Sequence, residues 1–307
     1  MLGLAVATLA LGAGCSGAIE AKSASEATGG TSSTCGSVSA GSSNGGSAGG
    51  GSSGGESPES ILSCAAWQRE PLPGTDAVLI NNVWNEQWAA GQPYEQCLKK
   101  RPNGETVEYG WSWDWPSYRP YASYAAPEVL VGWKAWDGGV STTPALPRRV
   151  DTLSALRLDF AAEIEADDTY NLNATLWVTT SATATAEPNP TDIRNEIMVW
   201  FSNPSLHTAG DTPDGSVTLD GITFDVAHTV NHPDGSGGST HTWTMVSYIS
   251  REPHFDVRFD LALVLQDAAA KGLVDPTHAV GGVELVTEVF GGKGELWLER
   301  FKVTATP

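Results

Sequence analysis

From residue 59 onward the chain is a succession of short apolar-polar runs, each cut off by Gly, Pro, Asn or Asp. "DAVLINNVWN", "VEYGWSWDW", "EVLVGWKAW", "ALRLDFAAEIEA", "YNLNATLWVTT", "NEIMVWF", "HTWTMVSYIS" and "GELWLERFKVTA" all read as strands. Side chains alternate along a strand, so each run offers one face to a core and the other elsewhere. Strands of that kind bury their apolar faces by packing sheet on sheet. One stretch differs: in "DLALVLQDAAAKG", Leu261, Val264, Leu265, Ala268 and Ala269 recur at helical spacing. Asp260 suits its N-cap and Gly272 its C-terminal cap, with Pro276 beyond. No βαβ alternation and no solenoid or propeller period is present. The expectation is all-β, one jelly-roll sandwich of two antiparallel sheets with one packed α-helix, over 59–307.

The start of the chain has another character. "MLGLAVATLALGAGCSG" is an apolar run too short to span a bilayer, followed by small residues and Cys15. It reads as an export leader over 1–15, and "GAGC" resembles a bacterial lipoprotein cleavage site with Cys15 as the lipidated residue. Residues 16–58 are dominated by Gly, Ser, Ala and Thr and are expected to form a flexible tether. A lipid anchor followed by such a spacer would hold a domain at a cell surface; secretion is the other outcome.

The formal charge of −19 argues against a nucleic-acid or anionic-membrane partner, because no basic stripe is available to neutralise phosphates. Of the four cysteines, Cys15 is the lipidation candidate and Cys35 lies in the tether. Cys64 and Cys97 flank the start of the folded region and are the natural disulfide pair in an oxidising compartment. No CxxC or Cys/His cluster points to zinc. His228 and His232 stand four apart, but no helical pattern surrounds them, so no metal is expected.

Chemistry is suggested by two acids on apolar strands. Glu196 in "NEIMVWF" shares a strand face with Met198 and Trp200, and Glu288 lies in "VELVTEVFGG". A charge placed there needs a partner or a task. Two carboxylates across a cleft can cleave a glycosidic bond, one as nucleophile and the other as proton donor, with no cofactor. The 12 Trp residues fit the same reading, since an indole face can cover the apolar face of a sugar ring, although filling a core is their ordinary role.

Several stretches in order carry a family resemblance. "NEIMVWF" (195–201) resembles the Glu-(Ile/Leu)-Met-(Ile/Val)-Trp strand of glycoside hydrolase family 12. "INNVWN" (80–85) with "QC" (96–97), "APEVLVGWKAW" (126–136), "YNLNATLWVTT" (170–180) and "LVTEVFGGKGELWLERFKV" (285–303) resemble further family segments, in register from about 64 to 305. The resemblance implies two curved sheets and a concave cleft for a β-1,4-linked glucan, hydrolysed internally with retention of configuration. It makes Glu196 the nucleophile and Glu288 the general acid/base. It puts Asn82 and Trp84 on sugar-binding positions and Met198 close to the reacting sugar. Trp111 and Trp113 of "WSWDW" become candidates for sugar stacking, with core packing as the equal alternative.

Two positions depart from the family. Thr175 stands where an Asp normally bonds the nucleophile, and its hydroxyl is expected to donate to that carboxylate instead. Asn85 replaces a Gly after the Trp. The 202–220 and 228–240 stretches read as Pro/Gly/Asp-rich loops that set substrate preference among cellulose, mixed-linkage glucan and xyloglucan. The competing reading is a non-catalytic glucan-binding surface protein on the same fold. A monomer is expected.

Overall fold

The computed structural model describes residues 59–119, 123–205, 210–233 and 240–307. The leader 1–15, the tether 16–58, Cys15 and Cys35 lie outside the described residues. Two antiparallel-rich sheets face each other. The smaller has the spatial order β1 (Ser60–Ser63), β4 (Glu95–Asn103), β5 (Thr106–Trp115), β17 (Gly292–Thr306), β8 (Ala155–Ala166), β14 (Asp256–Asp260). The larger runs β11 (Thr212–Leu219), β12 (Ile222–Pro233), β13 (Thr242–Ser250), β10 (Ile193–Ser202), β9 (Tyr170–Thr179), β16 (Gly282–Val289), β6 (Glu128–Gly132), β3 (Val78–Ile80), β2 (Arg69–Pro71). The short pieces β7 (Arg148–Arg149) and β15 (Ala279–Val280) extend it beside β9. Among the described residues one pair, β10 with β13, is parallel.

Alternation does the sorting. Ile197, Val199 and Phe201 of β10, Leu172, Ala174, Leu176 and Val178 of β9, and Val283, Leu285 and Val289 of β16 all point between the sheets and are fully buried. Burying each such aliphatic or aromatic side chain is worth roughly 1.5–3 kcal/mol, which makes this face the main source of stability. Across the gap, Phe201 meets Phe160 of β8 and Phe259 of β14 edge-on, with centroids 5.3 and 6.0 Å away. Trp111 of β5 crosses the sandwich as well, its indole Nε1 donating to Thr287 Oγ1 of β16 at 3.1 Å.

The helix α1 (Leu261–Ala270) continues from β14, and Asp260 caps it by accepting from the Ala262 amide at 3.1 Å. Gly272 follows at φ +73°, the left-handed conformation that ends helices. Its apolar face joins the main core, and Tyr248 of β13 donates to Asp267 Oδ2 at 2.7 Å. Cys64 and Cys97 form the disulfide and tie the segment after β1 to β4. The 202–220 stretch is not simply a loop. Residues 212–219 pair with β12 as a hairpin closed by Asp220 and Gly221, both at positive φ. Asp-Gly between two strands is the signal for that two-residue turn, and it was hidden by the polar composition around it.

Replacing Phe201 by Ala should lower stability by about 3–5 kcal/mol in urea unfolding, because three rings from both sheets lose contact. A loss below about 1 kcal/mol would mean that the ring is not seated between the sheets as described.

Candidate active site

The other face of the larger sheet, turned away from the sandwich, collects polar side chains. β10 contributes Glu196, Met198 and Trp200; β9 contributes Asn171, Asn173, Thr175 and Trp177; β16 contributes Glu284 and Glu288. The pairing sets Glu196 opposite Trp177 and Glu288 opposite Asn171, so the two acids flank β9 from either side, six positions apart along it. The Glu288 charge nevertheless adds to the rise in the Glu196 pKa.

Each acid has one oxygen occupied by a neutral donor. The Trp243 indole Nε1 donates to Glu196 Oε2 at 3.0 Å, and the Asn171 amide donates to Glu288 Oε2 at 2.7 Å. Trp243 is held by Trp136 and Trp177, the three indoles meeting edge to face with centroids 5.4–5.7 Å apart. Met198 packs with Trp200, Met245 and Ile249 on the other flank of Glu196. In these surroundings desolvation pushes Glu196 up to about 7, helped by Glu288 and opposed by the Trp243 bond and the Lys134 charge. Desolvation likewise pushes Glu288 up to about 7, opposed by the Asn171 bond. Both carboxyls therefore change charge near neutrality rather than in the acid range of an exposed Glu.

Next to them lies a buried ionic cluster. The Lys134 ammonium donates to both oxygens of Glu128, at 2.8 and 2.9 Å, and to Glu284 Oε2 at 3.2 Å. Trp177 Nε1 and Asn82 Nδ2 reach the same two carboxyls at 3.4 Å. Two acids and one ammonium cannot all be well satisfied. Burial and the Glu128 charge push Glu284 up to about 8, and its Oε1 has no hydrogen-bond partner among the described residues. Burial raises Glu128 as well, but both of its oxygens accept from Lys134, so a proton held by the cluster falls on Glu284. Among the described residues no group of three or more His, Cys, Asp or Glu is placed to hold a metal ion.

A largely buried pair of raised carboxyls on an aromatic-lined sheet face suits glycosidic chemistry, and the relatives agree. The profile of glycosyl hydrolase family 12 matches residues 76–305. The chain belongs to glycosyl hydrolase family 12. An endoglucanase S of Pectobacterium parmentieri is 25% identical over 229 residues, covering 73% of this chain and 80% of that protein. A family 12 xyloglucanase from Bacillus licheniformis superposes with a TM-score of 0.69 at 24% identity, over 80% of this chain and 99% of that one. An endoglucanase from Rhodothermus marinus does so with 0.63 at 22%, over 81% and 99%. This family 12 member is accordingly a glycoside hydrolase of the endoglucanase type, from a family that acts on polysaccharides of the β-glucan kind.

Several expected site residues fall elsewhere in this hydrolase. Trp111 and Trp113 are buried in the core between the sheets, because β5 belongs to the smaller sheet and their face of it points inward. They do not reach the outward face of the larger sheet. Thr175 does not donate to Glu196; its hydroxyl donates to Asn173 Oδ1 at 2.6 Å, along its own strand. Asn82 is buried and aimed at Glu128, whereas Trp84 is 45% exposed, beyond the end of β3 and against Trp88. Trp243, Asn171, Lys134, Glu128 and Glu284 were not anticipated. The alternation in "YNLNATLW" already aligns Asn171 and Asn173 with Thr175, and that in "VELVTEV" aligns Glu284 with Glu288. Nothing in the sequence connects Lys134 or Trp243 with them.

The raised Glu284 has a thermodynamic consequence. Its folded-state pKa of about 8 lies above the ordinary 4.5, so the stability it contributes is complete below about pH 4.5 and is lost as pH rises through 8. The Tm should therefore fall between pH 5 and 8, and Glu284→Gln, always neutral, should flatten that slope and leave only a fall that ends near pH 7. A wild-type Tm level from pH 5 to 9 in calorimetry would rule out a buried, protonated Glu284.

Proposed function

We propose that this chain is a retaining endo-β-1,4-glucanase that cleaves internal bonds of a β-glucan, with Glu196 as nucleophile and Glu288 as general acid/base. The observation that carries the reading is the matched pair of largely buried carboxyls on one sheet face. Each has one oxygen held by a neutral donor, and both are poised to change charge near pH 7. With Oε2 of Glu196 held by Trp243, Oε1 attacks the anomeric carbon as the glycosidic bond breaks. Glu288 passes its proton to the departing oxygen, then takes a proton from the water that releases the sugar from the Glu196 ester. The apolar flank of Met198, Trp200 and the three indoles limits water around the nucleophile and offers aromatic faces to sugar rings. Asn82, Trp84 and Met198 are the substrate-side residues on this reading.

The substrate is cellulose, mixed-linkage glucan or xyloglucan; the relatives named above include both endoglucanases and a xyloglucanase. A site of action outside the cytoplasm is supported by the Cys64–Cys97 disulfide and by the apolar leader that ends at Cys15.

Release of reducing ends from barley β-glucan, tamarind xyloglucan and carboxymethyl cellulose tests the assignment. Glu196→Gln and Glu288→Gln should each lower kcat by about 10²–10⁴-fold or more. Anomeric NMR of the first product should show the β-anomer; an α-anomer would overturn retention. Failure of wild type on all three polymers would leave a glucan-binding protein. The working state has Glu196 ionised and Glu288 protonated, so kcat/KM should follow a bell centred near pH 7, its two limbs belonging to the pair.

A further inference from the structure

β9 carries a feature that neither the fold nor the two acids require. Asn171, Asn173 and Thr175 lie on one face of the strand and are all buried. Thr175 Oγ1 donates to Asn173 Oδ1 at 2.6 Å, Asn173 Nδ2 donates to Asn171 Oδ1 at 2.8 Å, and Asn171 Nδ2 donates to Glu288 Oε2 at 2.7 Å. The Asn173 amide also reaches the same carboxyl oxygen at 3.4 Å. Every donor in the row points towards Glu288. Aligned hydrogen bonds polarise one another, so the last donor is strengthened by those behind it.

We propose that Asn171, backed by Asn173 and Thr175, is a positioning residue for Glu288. The row holds Oε2 as an acceptor and leaves Oε1 as the oxygen that gives up the proton in the first step and takes one back in the second. The inference rests on the acid/base assignment of Glu288 made above. It gives Thr175 a task of its own, at the far end of the row from the acid/base, with its hydroxyl bonded to Asn173 and not to Glu196.

Two effects compete at Glu288. Burial pushes the carboxyl up, and the Asn171 donor pulls it back by stabilising the ionised form. The other titratable groups on this face are Glu196 from β10, Glu284 from the same strand, and Glu128 and Lys134 clustered with Glu284. An acid/base must lose and regain its proton in each cycle, so a carboxyl left to desolvation alone would bind the proton too tightly to act as a base. A row that served only the packing of the sheet would need no common direction.

The test reads the Glu288 carboxyl itself by ¹³C NMR titration of the purified protein, alongside kcat/KM against pH on β-glucan. Asn171→Ala should raise the Glu288 midpoint and the alkaline limb together, by about one pH unit, the size expected for one hydrogen bond to a charged group. Thr175→Val, which removes only the hydroxyl, should move both in the same direction by less. Thr175→Ser, which restores the hydroxyl, should return them towards wild type. If Asn171→Ala does not fold, the Val and Ser variants decide. Midpoint and limb unmoved in Asn171→Ala and Thr175→Val, with only the Tm lowered, would overturn the proposal and leave a structural row. A wild type inactive on every glucan would instead defeat the hydrolase assignment, while the NMR midpoints would still report whether the row acts on Glu288.

Discussion

The arrangement on the outward face of the larger sheet depends on two-residue alternation through β9, β16 and residues 195–200 of β10, between the register shifts near the two ends of that strand. The inward residues of these strands seal the sandwich, so their outward neighbours are delivered to one surface whatever their chemistry. A slip of one residue in β10 would exchange Glu196, Met198 and Trp200 for Ile197, Val199 and Phe201 and would bury a carboxylate between the sheets. The large apolar inner face makes that register far more favourable than its neighbours. Trp111, bonded from the smaller sheet to Thr287, anchors β16 from behind at the residue next to Glu288. The acid is thus braced by the opposite layer as well as by Asn171.

Desolvation governs the electrostatics of this surface. Glu284 lies 3.2 Å from an ammonium, yet its pKa is raised. Removal from water and the nearby Glu128 charge outweigh the attraction of Lys134, which is the usual balance for ionic groups inside proteins. Once Glu284 holds a proton, Glu128 and Lys134 form a neutral pair, and the cluster does not add a second negative charge beside Glu196. The field of Lys134 and the Trp243 hydrogen bond then favour ionised Glu196, while Asn171 does the same for Glu288.

The indoles show how little residue type decides alone. Trp111, Trp113 and Trp115 sit in the main core with the inner faces of both sheets. Trp136, Trp177 and Trp243 form a separate aromatic cluster that includes the donor to Glu196. Both sets come from strand-like segments or their flanks. What separates them is the sheet each segment joins and the face on which each indole falls.

The period-two runs by themselves determined an all-β sandwich with one helix, and the Asp260 and Gly272 signals bounded that helix closely. They also determined that Glu196, Met198 and Trp200 share a face. Those are local properties, dictated by backbone geometry and by the need to bury one side of each strand. The order of strands was decided only in three dimensions. That order placed β5 in the smaller sheet, turning Trp111 and Trp113 inward, and set β9 between β10 and β16, so that Glu196 and Glu288 flank one rail of amides. It also brought Lys134 and Trp243, far apart in the chain from their partners, to Glu284 and Glu196. Hydrogen bonds and charges act over a few ångströms of space and carry no signature of sequence distance, so the partners of each acid became visible only when the sheet had closed.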